Sequence, residues 1–192
     1  AVTAKHDIPL IFDEIVTGFR LAWGGAQEYY GVVPDVCALG KIIGGGFPLA
    51  AVAGRADIMA HFNKGRVSDE AAVSQSGTLN GNPLAAAAGL ATLEVLKRPG
   101  AYKNLFATGQ RLKDGFSALL KDARIPATVV GEPPLFDVVF ATGEMANYRD
   151  TARGDAKRLK RFNDLMLENG VLKGENKMYI SAAHTDVEVD ET

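Results

Sequence analysis

The apolar residues of the first half fall in short continuous runs between turn residues. The runs Ile8–Phe12 and Val36–Leu39 predict two buried strands, and Leu49–Gly54 predicts a third after a glycine-rich turn. Segment 56–62 has the length and composition of a short helix. This order of elements favours an open α/β sheet whose first two strands are parallel.

A longer helix is predicted from residue 83 onward. Asn82 can cap it, Pro83 suits its first turn, and Leu84–Lys97 is rich in alanine and leucine. The sequence Arg98–Gly100 then interrupts the helical pattern. A new segment therefore begins near residue 98.

The second half alternates between the helical period and short strand-like runs. An amphipathic helix over Tyr102–Asp122 is predicted to bury Leu105, Leu112, Phe116 and Leu119. The other predicted elements are two strands at Thr128–Gly131 and Phe136–Ala141, a helix at Asp155–Asn169, a strand at Met178–Ser181, and a helix that begins with a capping box at Thr185. We therefore expect an α/β part to residue 97 and a compact α+β part over 98–192.

Composition restricts the function without defining it. The chain has 192 residues, 47% of them hydrophobic, and a net charge of -2. Its basic residues are dispersed except at Lys157–Arg161, which fits a solvated helix face, so we expect no nucleic-acid partner. No apolar run is long enough to span a bilayer, and we expect a cytosolic protein with no membrane contact. Cys37 lies in an apolar run and is expected to be a buried free thiol.

Two chemically useful side chains follow two of the predicted strands. Asp13 comes directly after Ile8–Phe12, and Lys41 follows Val36–Leu39 by two residues. Because parallel strands end at one edge of a sheet, we expect both at the carboxyl edge, where ligands bind. A carboxylate keeps a pyridine nitrogen protonated and an amine forms a Schiff base with an aldehyde, so the pair favours a pyridoxal cofactor. A capping aspartate and a sheet-edge lysine are the alternatives.

The glycines at 44–46 do not complete a nucleotide-binding motif. A P-loop would need glycine at Asp35 and a hydroxyl residue at Ile42, and a dinucleotide fingerprint would need a small residue at Leu49. A nucleotide-binding module is therefore a weak hypothesis. We expect these glycines to form a tight turn beside Lys41.

A second candidate site precedes the capped helix. The segment Ser76–Asn80 offers the backbone N–H of Gly77 and the hydroxyl of Thr78 as phosphate ligands, although an ordinary polar loop would have the same composition. The three histidines, at positions 6, 61 and 184, have no metal-ligand spacing. We expect no metal site.

Three motifs together are more specific than any one of them. Ile11–Arg20, Pro34–Pro48 and Gly77–Pro83 resemble, in order and spacing, the class III pyridoxal phosphate-dependent aminotransferases, particularly the glutamate-1-semialdehyde aminomutase branch. The likeness covers essentially the whole chain. It implies a PLP-dependent transferase of fold type I, with residues 1–97 as the later part of the large mixed-sheet domain and 98–192 as the small α+β domain.

The resemblance also implies roles for individual residues. Asp13 would pair with the pyridine nitrogen, Ile15 would pack on the ring face, and Lys41 would form the Schiff base and move protons. Thr78, with the backbone of Gly77, would bind the phosphate of the cofactor held by the other subunit. The implied enzyme is a homodimer with shared active sites. It transfers an amino group, and its substrate is an amino acid or an amino-aldehyde or keto compound.

Several departures leave alternatives open. Val16 resembles the aminomutase branch, whereas Lys173–Tyr179 and Pro133–Phe136 do not reproduce its pattern, so a related transaminase for a β-amino acid or another amino acid remains an alternative. The chain lacks an initiator methionine and enters its first strand after seven residues, so we expect it to be the later part of a longer polypeptide. Without the family's N-terminal half, tight cofactor binding is not expected, and a non-catalytic fragment is the second alternative.

Overall fold

The computed structural model describes residues 2–192, which divide between Pro99 and Gly100 into two units. The elements of the first unit are α1 (Val2–Lys5), β1 (Ile11–Glu14), α2 (Gly25–Tyr30), β2 (Val36–Leu39), a 3₁₀ turn (Lys41–Gly44), β3 (Ala51–Gly54), α3 (Ala56–Met59) with a 3₁₀ turn (Ala60–Phe62), and α4 (Pro83–Leu96). Those of the second unit are α5 (Ala101–Asp122), β4 (Thr128–Glu132), β5 (Leu135–Val139), α6 (Tyr148–Thr151), α7 (Ala156–Glu168), β6 (Lys177–Tyr179) and α8 (Asp186–Glu191).

The sheet of the first unit is mixed and has the order β1-β2-β3. β1 and β2 are parallel, and β3 runs antiparallel to β2. The strand at Val36–Leu39 is confirmed, and Cys37 is buried as expected. The first strand was placed too early, because the ladder starts only at Ile11 and continues through Glu14. It is also not a buried strand, since Ile11 is 65% exposed.

A charged cluster joins the amino-terminal side of β2 to its neighbours. The Asp35 carboxylate accepts the Leu10 N–H at 2.7 Å, and Arg55, which follows β3, lies 3.0 Å from its other oxygen. These two contacts lower the pKa of Asp35, the Leu10 hydrogen bond contributing most. These contacts connect the three strands at the edge of the sheet opposite the carboxyl ends of β1 and β2.

Helix α4 begins as predicted and packs tightly on the turn after β2. The Asn82 side chain accepts the N–H groups of residues 84 and 85, and Pro83 occupies the first turn. A Cβ at Gly89 would lie 2.4 Å from the carbonyl oxygen of Ile43, and one at Gly45 would lie 2.6 Å from that of Ala88. Only glycine permits this approach of helix and turn.

The second unit is a three-stranded antiparallel sheet, β4-β5-β6, with a continuous apolar core. Its buried members are Leu105, Phe116, Phe136, Val138, Met178 and Ile180. The predicted helix over 102–122 is confirmed, but Leu119 is 66% exposed. The apolar stripe instead continues four residues after Phe116, at Leu120, which packs against the core.

Short elements and strand ends were the weakest predictions. Helices α1, α2 and α6 were missed, although Gly31 ends α2 in the left-handed conformation and Asn147 starts α6 with a capping box. Strands β5 and β6 each begin one residue earlier and end two residues earlier than expected. The capping box at Thr185 is confirmed.

Candidate active site

The carboxyl ends of β1 and β2 lie level with each other. In their parallel register Asp13 is opposite Ala38 and Glu14 is opposite Leu39. Lys41 comes two residues after the end of β2. The fold therefore brings the two residues singled out in the sequence to the same edge of the sheet.

Lys41 begins a strained turn. Its φ angle is 48°, in the left-handed region that residues other than glycine rarely adopt, and it follows the fully extended Gly40. Such a conformation costs about 1–3 kcal/mol and persists where the surroundings impose it. Here the glycines that follow, with Gly45 at 57° and Gly46 at 91°, form the tight turn expected beside the lysine. Strained residues of this kind cluster at functional sites.

Asp13 and Glu14 point to opposite faces of the sheet, because side chains alternate along a strand. Asp13 is exposed, and one of its oxygens accepts the Ile15 N–H at 3.0 Å. Across the sheet Asp13 shares a row with Ala38, which is paired in turn with Val52. This row defines the Asp13 face of the sheet.

An open cleft of about 780 Å³ lies on the Asp13 face. Ile15, Ala38 and Val52 contribute to its wall, together with Pro48, Met59 and Phe62 and residues 75 and 79–81. Its volume is within the range of about 300–1,000 Å³ that small-molecule sites occupy. The cleft brings Ile15 close to the segment around Thr78. The side chains that line it do not include Asp13, Lys41, Gly77 or Thr78 themselves.

Thr78 lies in a closed turn. The Asn80 N–H donates to the Gly77 carbonyl at 3.0 Å, and the Asn80 side chain donates to that of Gln75 at 3.1 Å. A Cβ at Gly77 would lie 2.9 Å from the Asn80 side-chain oxygen. Thr78 itself is exposed in this turn. Its hydroxyl is therefore accessible to a ligand.

Glu14 is the feature of this region that sequence reasoning missed. Of residues 2–192 it is the one buried charged side chain, 1% exposed. Its Oε2 accepts the Thr17 hydroxyl at 2.9 Å and the Ala26 N–H at 2.7 Å. Its Oε1 accepts the Gln27 N–H at 3.0 Å and the Gln27 side chain at 3.3 Å. The only sequence signal was a second acidic residue, next to Asp13, at the end of an apolar run.

The ionisable groups of the second unit include one partly buried cluster. Burial raises the pKa of Asp137 and lowers the pKa of Lys173. Lys177 lies 3.8 Å from Asp137, whereas Lys173 donates to Asn163 at 2.6 Å. Within residues 2–192 no three His, Cys, Asp or Glu side chains group as a metal site. No helix in that range is long and apolar enough to cross a membrane.

A family model and known proteins match this chain over nearly its full length. The model for the class-III aminotransferases matches residues 1–185. The chain belongs to the class-III aminotransferase family. The glutamate-1-semialdehyde 2,1-aminomutase of Neisseria meningitidis serogroup C (strain 053442) is 44% identical over 194 residues, which cover 100% of this chain and 44% of the relative. The chain thus spans less than half the length of that relative.

Solved structures of an aminotransferase and an aminomutase have the same fold. A β-phenylalanine aminotransferase from Variovorax paradoxus has a TM-score of 0.88 at 29% identity, covering 98% of this chain and 43% of its own. A glutamate-1-semialdehyde aminomutase from Pseudomonas aeruginosa PAO1, in complex with PMP, has a TM-score of 0.82 at 28% identity, covering 99% and 44%. The expected fold class, that of the fold type I PLP-dependent transferases, is confirmed.

The geometry of the Asp13 face is compatible with the pyridoxal phosphate typical of this family. Ile15 lines the cleft and packs directly on the backbone of Gly40. The contact is close, since a Cβ at Gly40 would lie only 3.0 Å from the Ile15 Cδ1. An aliphatic side chain held in this way suits the flat face of a ring. The exposed Asp13 carboxylate and the Lys41 amine lie at the same edge.

Proposed function

We propose that this chain carries the cofactor-binding part of a PLP-dependent aminotransferase or aminomutase of the glutamate-1-semialdehyde aminomutase type. The observation that carries the proposal is the strained Lys41 at the carboxyl edge that it shares with Asp13. The 44% identity to an aminomutase over the whole chain supports the choice of reaction. When bound, the cofactor supplies an electron sink for the carbanion formed beside the amino group.

The residues of this chain would have four roles. Lys41 would hold the cofactor covalently through its amine and move protons at the substrate carbon, and the Asp13 carboxylate would keep the ring nitrogen protonated. Ile15 packs against the ring face. The Thr78 hydroxyl and the Gly77 N–H bind phosphate.

The complete site needs more than one copy of the residues described. We propose a homodimer in which Thr78 and Gly77 bind the phosphate of the cofactor held by the partner subunit. An N-terminal half, within the same polypeptide or separate from it, would supply the remaining strands and cofactor contacts, in keeping with the 44% coverage of the relative. Asp13 and Lys41 are exposed in this chain, so additional residues must shield them from water. The cytosol remains the expected location.

Covalent trapping tests the proposal. The protein, assembled with its N-terminal half, is incubated with pyridoxal phosphate, reduced with borohydride and mapped by peptide mass spectrometry. We expect one pyridoxyl group, on Lys41, and its loss in Lys41→Ala. Lys64→Ala, which removes an exposed lysine of the same unit, is the matched control and should label normally. Labelling of other lysines without Lys41, or none at all, would refute the proposal and favour a non-catalytic fragment.

The need for a second substrate separates the two candidate reactions. A 2,1-aminomutase moves an amino group between two carbons of one molecule, so glutamate-1-semialdehyde should be converted without any keto acid. A transaminase needs a keto or aldehyde acceptor because the amino group leaves its donor. The fold shared with a β-phenylalanine aminotransferase keeps a β-amino acid transaminase as the second candidate. Turnover that depends strictly on a keto acceptor would decide for that candidate.

A further inference from the structure

The buried Glu14 carboxylate lies directly behind the proposed site. It is completely enclosed, and its two oxygens accept four hydrogen bonds from Thr17, Ala26 and Gln27. A buried charge is costly unless such partners compensate it. The contacts are therefore specific to a carboxylate, and the proposed reaction gives this residue no role.

The hydrogen bonds connect the turn that follows β1 to the first turn of α2. Thr17 lies in the turn after β1, which the Gly18 N–H closes onto the Glu14 carbonyl at 2.9 Å. Ala26 and Gln27 form the first turn of α2, where a negative charge is favourable. Glu14 thus fastens the start of α2 to the end of β1.

The packing around Glu14 leaves little room for adjustment. A Cβ at Gly25, whose φ is 75°, would lie 2.4 Å from the Glu14 Oε2. A Cβ at Gly18 would lie 2.6 Å from the Glu14 carbonyl and 2.7 Å from the Leu39 Cδ2. Glycines at these two positions therefore permit the close approach of backbone and carboxylate.

Asp13 and Glu14 are consecutive residues of one strand and face opposite sides of the sheet. Restraining the Glu14 side chain on the buried face restrains the peptide between them, and thereby the direction in which Asp13 leaves the backbone. Asp13 has one hydrogen bond of its own, from the Ile15 N–H in the same turn. Local contacts on the exposed face are thus few.

We infer that Glu14 is a positioning residue that aims the Asp13 carboxylate at the ring nitrogen of the cofactor. The inference rests on the proposed function and deepens it. Catalytic groups need side chains whose orientation is set by a supporting layer of hydrogen bonds, and the four contacts of Glu14 form such a layer.

The test compares two cofactors that differ only at the ring nitrogen. Dissociation constants are measured for pyridoxal 5'-phosphate and for its 1-deaza analogue, in which carbon replaces that nitrogen, with the protein assembled as in the trapping experiment. In Glu14→Gln we expect affinity for pyridoxal phosphate to fall about tenfold, the size of one charge-assisted hydrogen bond, and affinity for the analogue to change less than about twofold. The chemical shift of an isotopically labelled ring nitrogen should move towards the unprotonated value.

Matched variants separate positioning from general loosening. Glu28→Gln removes an exposed carboxylate that accepts the Gly24 N–H at the same end of α2, and it should leave the ratio of the two affinities unchanged. If Glu14→Gln does not fold, the same two affinities are measured for Thr17→Val, which removes one hydrogen-bond donor to the Glu14 Oε2. Its affinity for pyridoxal phosphate should also fall more than its affinity for the analogue. Equal losses for both cofactors, or no loss, would overturn the inference. Failure of the unmodified protein to label Lys41 would instead refute the proposed function, and this inference with it.

Discussion

The two units of this chain are stabilised in different ways. The second unit has a continuous core of six buried apolar side chains, in which Phe116 and Phe136 lie with ring centroids 6.2 Å apart. In the first unit the buried side chains are few and mostly small, while Ile11, Leu84 and Leu90 are each about two-thirds exposed. Its structure depends instead on turns, close glycine contacts and the buried Glu14.

This difference between the units coincides with the location of the residues proposed to contact the cofactor. Every residue proposed to contact the cofactor lies in the first unit, at a strand end or in a turn, and Lys41 has a strained backbone. A large apolar core supplies stability, whereas positioned turns supply direction for polar groups. We therefore expect the second unit to respond most to truncation of its core and the first to respond most to changes at its turns.

The largest effect is expected from truncation of the second core. Phe136→Ala should cost the second unit about 3–5 kcal/mol in the free energy of unfolding, because the side chain is 1% exposed. Leu90→Ala in the first unit should cost within about 0.5 kcal/mol, because Leu90 is exposed. Hydrogen exchange resolved by unit measures both. Comparable losses of unfolding free energy in the two variants would mean that the Leu90 side chain is buried in solution.

A smaller effect is expected from a single methyl group in the first unit. Gly25→Ala should cost about 2–4 kcal/mol, because the residue has a positive φ and the added Cβ would meet the Glu14 carboxylate. Gly31→Ala is the control, since its φ is also positive but its Cβ would contact nothing; about 1 kcal/mol is expected there. Equal losses in urea unfolding would show that the Glu14 contacts do not restrain the turn.

Helix caps should not distinguish the two units. Asn82 caps α4 and Asp155 caps α7, each through two backbone N–H groups. Replacing either by alanine should cost about 1 kcal/mol, because a cap is a local interaction. Asn82→Asp should cost much less than Asn82→Ala, because an aspartate also caps a helix. An Asn82→Ala effect several times the Asp155→Ala effect would show that α4 supports its unit beyond its own first turn.

The smallest expected effect is pH-dependent. Burial raises the pKa of Asp137, so the folded state binds this proton more tightly than the unfolded state does. Stability is therefore lost as pH rises from the ordinary aspartate pKa, near 3.9, through the raised value. Asp137→Asn removes the ionisation. Its unfolding free energy relative to the unmodified protein should increase over that window, by less than about 1 kcal/mol because Lys177 offsets part of the penalty. A difference that decreases with pH would contradict this.

Local signals were sufficient for the long elements and for placing Asp13 and Lys41 at one edge of the sheet. The caps at Asn82 and Thr185 depend on residues within one turn, so they could be predicted without tertiary information. The resemblance to class III aminotransferases rested on three motifs, and the family model matches over residues 1–185. Boundaries were less accurate where pairing decides them, as at Ile11, whose strand begins only where β2 offers a partner.

The sequence by itself determined the family, the fold class and the order of the longer elements, because these follow from periodicity, capping residues and motif spacing along the chain. Only the tertiary structure decided that Glu14 is buried with four hydrogen bonds, that Lys41 takes a left-handed conformation, and that Leu119 faces solvent. The partners of Glu14 extend to Gln27 in the next helix, and the exposure of Leu119 depends on the exact rotation of a packed helix. A carboxylate beside a strand end has the same local pattern whether it faces a ligand or a buried turn.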